Sequence, residues 1–226
     1  MTPLINIHTA TENAIVNLVV DGKLVDSREN ADTREHGKFL HLAIEDLLRE
    51  HGIQIRELQA IGVTQGPGSY TGIRVGLASA SGLAFALRIP MIFLSALELL
   101  AGEAKQADPV FQGRFCPMID ARRMEVYTSM YDSKLLELMP PQAMILHHDS
   151  FAEVLQAEKV HFFGSGAEKF QQVCTSPHAG FSQVKITSEG LAALSWKKFG
   201  EGKVEIRPYA IPLYIKDFHS APPSGS

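Results

Sequence analysis

The feature that most narrows what this chain can fold into is a glycine-rich junction between a strand-like run at residues 60–64 and a helix-like run ending at residue 87. The junction reads Thr64-Gln65-Gly66-Pro67-Gly68-Ser69-Tyr70-Thr71-Gly72-Ile73-Arg74. Glycines at a strand exit permit a tight path into a helix, and Ser69 or Thr71 is placed to cap it. Such a position can turn backbone amides toward an anion. It is not a P-loop, because no Lys-Ser/Thr pair follows the glycines, and Gly66, Gly68 and Gly72 are out of register with the dinucleotide fingerprint. On the residues alone, a structural turn and a phosphate cradle both stand. The helix over 71–87 carries one charge, Arg74, and is otherwise apolar or small nearly all round. A helix of that kind must be covered on every side. Gly76, Ala80 and Ala84 form a flat ridge that another helix can approach. A core helix is the alternative; in a chain this small the reading favours a subunit contact.

Upstream, residues 4–7, 14–20 and 23–30 read as short strands, the last two joined by a turn at Asp21-Gly22. A helix is expected over 34–51. Asp32 and Glu35 have capping-box spacing, Leu40, Ile44, Leu47 and Leu48 form an apolar stripe, and Gly52 is a stop signal. Residues 89–94 read as a strand and 96–104 as a helix. This order implies a mixed sheet covered by helices. A second unit opens near Phe115. Ile7-His8-Thr9-Ala10-Thr11-Glu12-Asn13-Ala14-Ile15 and Ile119-Asp120-Ala121-Arg122-Arg123-Met124-Glu125-Val126-Tyr127 each run as a strand, a short polar turn and a returning strand. The pattern suggests two related halves with a cleft between them. The expected division is 1–105 and 106–226, with the last helix packing back on the first lobe and 221–226 a loose tail. Beyond residue 131 the signals weaken: 151–157 and 190–199 look helical, 160–163 and 209–215 extended.

A formal charge of −4 argues against a free-standing nucleic-acid binder, so action on RNA is expected to use a partner's surface. The two cysteines, Cys116 and Cys174, make no disulfide framework and no metal motif. No signal peptide is read at the N-terminus and no apolar run approaches bilayer length, so a cytoplasmic protein without a membrane segment is expected. His36 and His41 are five residues apart and do not share a helix face, and adjacent His147 and His148 diverge. Ser165, in Gly164-Ser165-Gly166, lacks nucleophile-elbow spacing. The stronger constellation is Asp120 with Arg122, Arg123 and Glu125. There an acid at a strand end can orient a metal-bound water while the arginines meet phosphate, or the same residues form a salt-bridged turn.

At these residues the chain resembles the TsaB (YeaZ) family. The resemblance rests on Gly66 to Arg74, on Ile119-Asp-Ala-Arg-Arg123 with Glu125-Val126-Tyr127, and on Pro212-Leu-Tyr-Ile-Lys216. It implies the actin-like, Hsp70-like ATPase (ribonuclease H-like) fold: α/β, two related lobes with mixed sheets flanked by helices. It also implies a role in attaching a threonylcarbamoyl group to the adenosine beside the anticodon of tRNAs that read ANN codons. In that system TsaD is the catalytic transferase, TsaE is an ATPase that joins the complex, and a TsaC-type enzyme makes the threonylcarbamoyl-adenylate. TsaB is the inactive relative that supports TsaD, and alone it pairs with itself through the same surface. Contacts are then expected from Leu40, Ile44 and Leu48 on the first helix and from Ile73, Arg74, Gly76, Leu77, Ala80 and Ala84 on the second. A possible phosphate or cleft site comprises Gly66, Gly68, Ser69, Thr71, Asp120, Arg122 and Arg123. No intrinsic cofactor or metal is expected, ATP and magnesium or another metal being used by the partner subunits. Where family members usually carry an acid in the first hairpin, this chain has His8, and a neutral imidazole cannot replace a carboxylate that orients hydrated magnesium. The rival readings, a glycoprotease-like hydrolase or a small-molecule kinase of the same fold, need a metal pair, a nucleophile or an intact acid that these residues do not offer.

Overall fold

The computed structural model describes residues 1–32, 36–206 and 215, without the side chain of His36. The Asp32/Glu35 capping box, the His36/His41 comparison, the extended run at 209–215 with its Pro212–Lys216 motif and the 221–226 tail lie wholly or partly outside the described residues.

The first half opens with β1 (Pro3–His8), β2 (Ala14–Val20) and β3 (Lys23–Asn30), followed by α1 (His36–Glu50), β4 (Ala60–Gly66), α2 (Tyr70–Leu87), β5 (Met91–Ser95) and α3 (Ala96–Ala107). Its sheet runs β3-β2-β1-β4-β5. The first two pairings are antiparallel and the last two parallel. β1 and β4 are buried on both faces, which is why they read as nearly continuous apolar runs. The second half comprises β6 (Arg114–Asp120), β7 (Glu125–Tyr131), β8 (Glu137–Ile145), α4 (Ala152–Ala157), β9 (Val160–Phe163), α5 (Ala167–Gln171), β10 (Ala179–Ser182) and α6 (Ser188–Gly200). Its sheet runs β10-β9-β6-β7-β8. Read from the other edge, that is the same plan: a meander of three strands, then two parallel additions beside the first. The two related lobes expected from the hairpin pattern are therefore a repeat of topology, with the strand order of the actin-like, ribonuclease H-like fold.

β8, α5 and β10 have no clear signature in the sequence. In β8 the pair Pro140-Pro141 argues against a strand, but β8 is an edge strand, where a missing amide donor is tolerated. α5 and β10 are too short for a clear period. Between the sheets, α3 packs against β4 and β5 on one side and β6 and β7 on the other. α6 lies on β1, β2, β3 and β5 of the first sheet. Asn17 Nδ2 donates to the Ser188 carbonyl (2.8 Å), Thr187 Oγ1 to Glu103 (2.6 Å), and Lys198 pairs with Glu98 (2.6 Å).

Candidate functional site: two hairpins and their glycine loops

Each lobe brings the loop after its first parallel strand against the tip of its first hairpin. In the first lobe, the amide of Ser69 donates to the carbonyl of Ala10 (2.7 Å) and Thr9 Oγ1 donates to the carbonyl of Gly72 (2.7 Å). Side chains would block this approach. A Cβ on Gly68, whose φ is +151°, would stand 1.9 Å from the Ala10 oxygen, and one on Gly72 would stand 2.0 Å from the Thr9 oxygen. Ser69 caps α2 by accepting from the amide of Gly72 (3.2 Å). The glycines of the junction thus serve a backbone-to-backbone contact, and the amides of Ser69 and Gly72 are spent inside the chain. Thr71 is exposed at the start of α2.

At the end of β1, His8 is fully buried. Its Nδ1 lies 3.0 Å from Thr64 Oγ1 and its Nε2 2.8 Å from Thr11 Oγ1. The imidazole therefore links β1, the hairpin and β4, and supplies no negative charge to the site.

The second lobe repeats the arrangement with different residues. The amide of Asp120 donates to Ser165 Oγ (3.1 Å) and that of Gly166 to the Met118 carbonyl (2.9 Å). A Cβ on Gly166 would meet Val126 at 2.6 Å. Gly164-Ser165-Gly166, which is no nucleophile elbow, is the counterpart of the 66–69 loop. Its place between a strand and a helix in the second half is the sequence signal for that role. Asp120 ends β6, and its Oδ1 accepts from Lys169 Nζ (2.8 Å) and the Arg122 amide (2.5 Å). Partial burial pulls this carboxyl upward, but the Lys169 ammonium and the Arg122 amide outweigh it and hold it below the usual carboxylate range. Lys169 also reaches the carbonyl of Glu125 (3.2 Å), so α5 clamps both sides of the hairpin. The salt-bridged turn that the sequence allowed among these residues is not made by the arginines: the cation paired with Asp120 is Lys169 of α5. Arg122 and Arg123 are exposed at the tip, with φ values of +72° and +49°. Each left-handed arginine costs roughly 1 kcal/mol or more in backbone energy.

The helical contact set is placed otherwise than its sequence pattern suggests. Leu40, Ile44 and Leu48 of α1 are buried in the first lobe's core, as are Ile73, Leu77, Ala80 and Ala84 of α2. Gly76 is buried too, and a Cβ there would stand 2.4 Å from Thr9 Oγ1. The Gly76-Ala80-Ala84 ridge is the inner face of α2 and lets it lie close to β1. This corrects its assignment to a subunit contact: small residues are needed for approach, but the approaching element is the chain's own sheet. Of that set only Arg74 is exposed; its guanidinium lies 3.8 Å from the centre of the Tyr70 ring. The outer face of α2 carries Ala78, Gly82, Phe85 and Ala86, all exposed, with Leu42 exposed on neighbouring α1. A helix apolar on all sides gives no periodic signal for which face turns inward.

Of the histidines, His41, His147 and His148 are exposed, and no group of three or more His, Cys, Asp or Glu side chains able to hold a metal occurs among the described residues. No described helix is long and apolar enough to cross a membrane.

A sequence model of the family described as "TsaD: tRNA N6-adenosine threonylcarbamoyltransferase" matches residues 28–204. The tRNA threonylcarbamoyladenosine biosynthesis protein TsaB of Escherichia coli K12 is 28% identical over 95% of this chain and 94% of its own length. The chain belongs to this family, in its TsaB (YeaZ) branch. The Bacillus subtilis TsaB is 35% identical over 58% of this chain and 57% of that protein. Among solved structures, YeaZ from Pseudomonas aeruginosa covers 95% of this chain and all of its own, with a TM-score of 0.79 and 25% identity. A second structure, described as an uncharacterized protein with similarity to peptidase YeaZ from Pseudomonas aeruginosa, reaches a TM-score of 0.83 at 26% identity over 96% of this chain. The overall two-lobed fold is thus shared with these solved structures.

Proposed function

We propose that this chain is a non-catalytic subunit required for threonylcarbamoylation of the adenosine beside the anticodon in tRNAs that read ANN codons. It acts in the cytoplasm by binding and supporting a TsaD-type transferase, with a TsaE-type ATPase joining the complex. One observation carries the non-catalytic reading. Both lobes keep a hairpin and a glycine loop, yet neither acid position offers a free carboxylate. In the first lobe the residue is His8, tied between two threonines. In the second it is Asp120, neutralised by Lys169. Hydrated magnesium is held through carboxylates and phosphate oxygens, so these residues do not fit a resident metal. ATP and metal are used on the partner subunits.

Support for a partner contact comes from the outer face of α2 and its neighbour. Phe85 is 71% exposed and Leu42 61% exposed, beside the small residues Ala78, Gly82 and Ala86. Exposed apolar surface of this kind is a feature of association sites. In the absence of the transferase, the same face pairs two copies of this chain.

The test is reconstitution of TsaC-, TsaD- and TsaE-type subunits with tRNA, with and without this chain, read by nucleoside mass spectrometry. Modification is expected only when the chain is present; equal modification without it refutes the role. The purified chain is expected to show no ATP turnover. Robust turnover abolished by Asp120→Ala would establish a kinase-like or hydrolytic activity instead.

A further inference from the structure

We infer that the Arg122–Arg123 tip of the second hairpin grips the phosphate backbone of the RNA held by the assembled complex. The inference rests on the proposed role in tRNA modification and adds to it a substrate contact made by this chain's own residues.

The backbone at the tip is left-handed at two consecutive positions, where glycine or asparagine is the least strained choice. The chain instead places there two residues with long cationic side chains. Both are exposed, and neither has an ion-pair partner among the described residues. The carboxylate at the end of β6 does not neutralise them, because Asp120 is engaged by Lys169 and by the Arg122 amide. The turn itself is stiff. The amide of Ala121 donates to the Glu125 carbonyl (3.0 Å), that of Glu125 to the Arg122 carbonyl (3.0 Å), and Lys169 ties Glu125 to α5. Two guanidinium groups are thus carried on a fixed mount, which lowers the entropy lost on binding.

Planar guanidinium forks match phosphate oxygens two at a time. A small phosphate ligand calls for a concave site that surrounds it, whereas an exposed turn tip suits a polymer passing across it. A protein partner already has a candidate face on the first lobe, and the tip belongs to the second. On a chain of net charge −4, a localised cationic tip permits RNA contact without general affinity for nucleic acid, provided that the partner subunits supply the rest of the electrostatic attraction.

The experiment uses the double variant Arg122→Asn/Arg123→Asn in the complex with the transferase and ATPase subunits. Asparagine tolerates the left-handed backbone, so the variant is expected to fold and melt no lower than the wild type. Binding of a fluorescent tRNA transcript is measured across a salt series. Expected are affinity about tenfold weaker at low salt and a log–log salt slope shallower by roughly one and a half to two, with partner association unchanged. Arg122→Lys/Arg123→Lys should retain most of the slope. Unchanged affinity and slope in the asparagine variant overturn the inference. Loss of partner association also overturns it, by showing that the tip meets an acidic protein surface. A wild-type complex that binds tRNA without modifying it refutes the proposed function, while the slope still decides the role of the tip.

Discussion

Gly68 shows how a single residue type carries the first hairpin. Its φ of +151°, and the 1.9 Å that would separate a Cβ from the Ala10 oxygen, leave no space for any side chain. Gly68→Ala is expected to lose roughly 2–4 kcal/mol of stability, because strain adds to overpacking. Urea denaturation measures that loss, and a loss below about 0.5 kcal/mol would mean the loop does not depend on this contact. The cysteines differ in the same residue-level way. Cys116 is wholly buried and its thiol is pushed up to about 12 by desolvation, whereas Cys174 is partly exposed. Because the thiolate is the reactive form, a maleimide should label Cys174 in the native protein and Cys116 only after unfolding. Mass spectrometry of the labelled peptides separates the two.

Among the elements, α2 makes the sharpest test of inner against outer face. Ala80 is fully buried, whereas Ala78 is exposed. Ala80→Arg is expected to unfold the chain, through overpacking and burial of an unpaired cation. Ala78→Arg should keep the fold within about 0.5 kcal/mol yet break association with the transferase subunit or a second copy. Circular dichroism melting and size-exclusion chromatography on both variants read the two effects; a folded Ala78→Arg that still associates would move the contact elsewhere. The join between β3 and α1 is electrostatic. Asp26 accepts from His51 Nε2 (3.1 Å) and pairs with Arg28 (2.8 Å), which also reaches Glu50 (2.5 Å). The bond to His51, helped by Arg28, lowers the Asp26 carboxyl to about 2. A depressed acid stabilises the fold above its unfolded value, and that contribution disappears as pH falls through the folded one. Stability is therefore expected to drop between about pH 4 and pH 2, and Asp26→Asn should flatten that limb of a urea-midpoint profile.

Across the whole molecule, the lobes are joined through α3 and α6. α6 is last in the described chain order, yet it covers the first sheet. Buried Asn17 accepts from Asn6 Nδ2 (2.8 Å) and donates to the Ser188 carbonyl (2.8 Å), fixing α6 against β1 and β2. Asn17→Ala strands two buried polar groups and is expected to cost roughly 2–4 kcal/mol. Urea denaturation of the full chain measures it, and a cost under about 0.5 kcal/mol would show that α6 is held by apolar packing alone.

The local chemistry of the chain by itself determined the strands and helices of the first lobe, a cap at Ser69 or Thr71, the strand–glycine–helix junction and the hairpin that reopens at Ile119. Each depends on near neighbours in sequence: turn residues, caps and apolar spacing act within a few positions. Tertiary structure decided the inward face of α2, since an apolar helix without a polar side looks alike from every direction. It also decided that the junction's glycines meet the Ala10 and Thr9 carbonyls, that Gly164-Ser165-Gly166 mirrors them, and that Lys169 reaches Asp120 from α5. Those contacts join residues as many as 63 positions apart, and their partners are selected by how the strands order and pack, which no local pattern encodes.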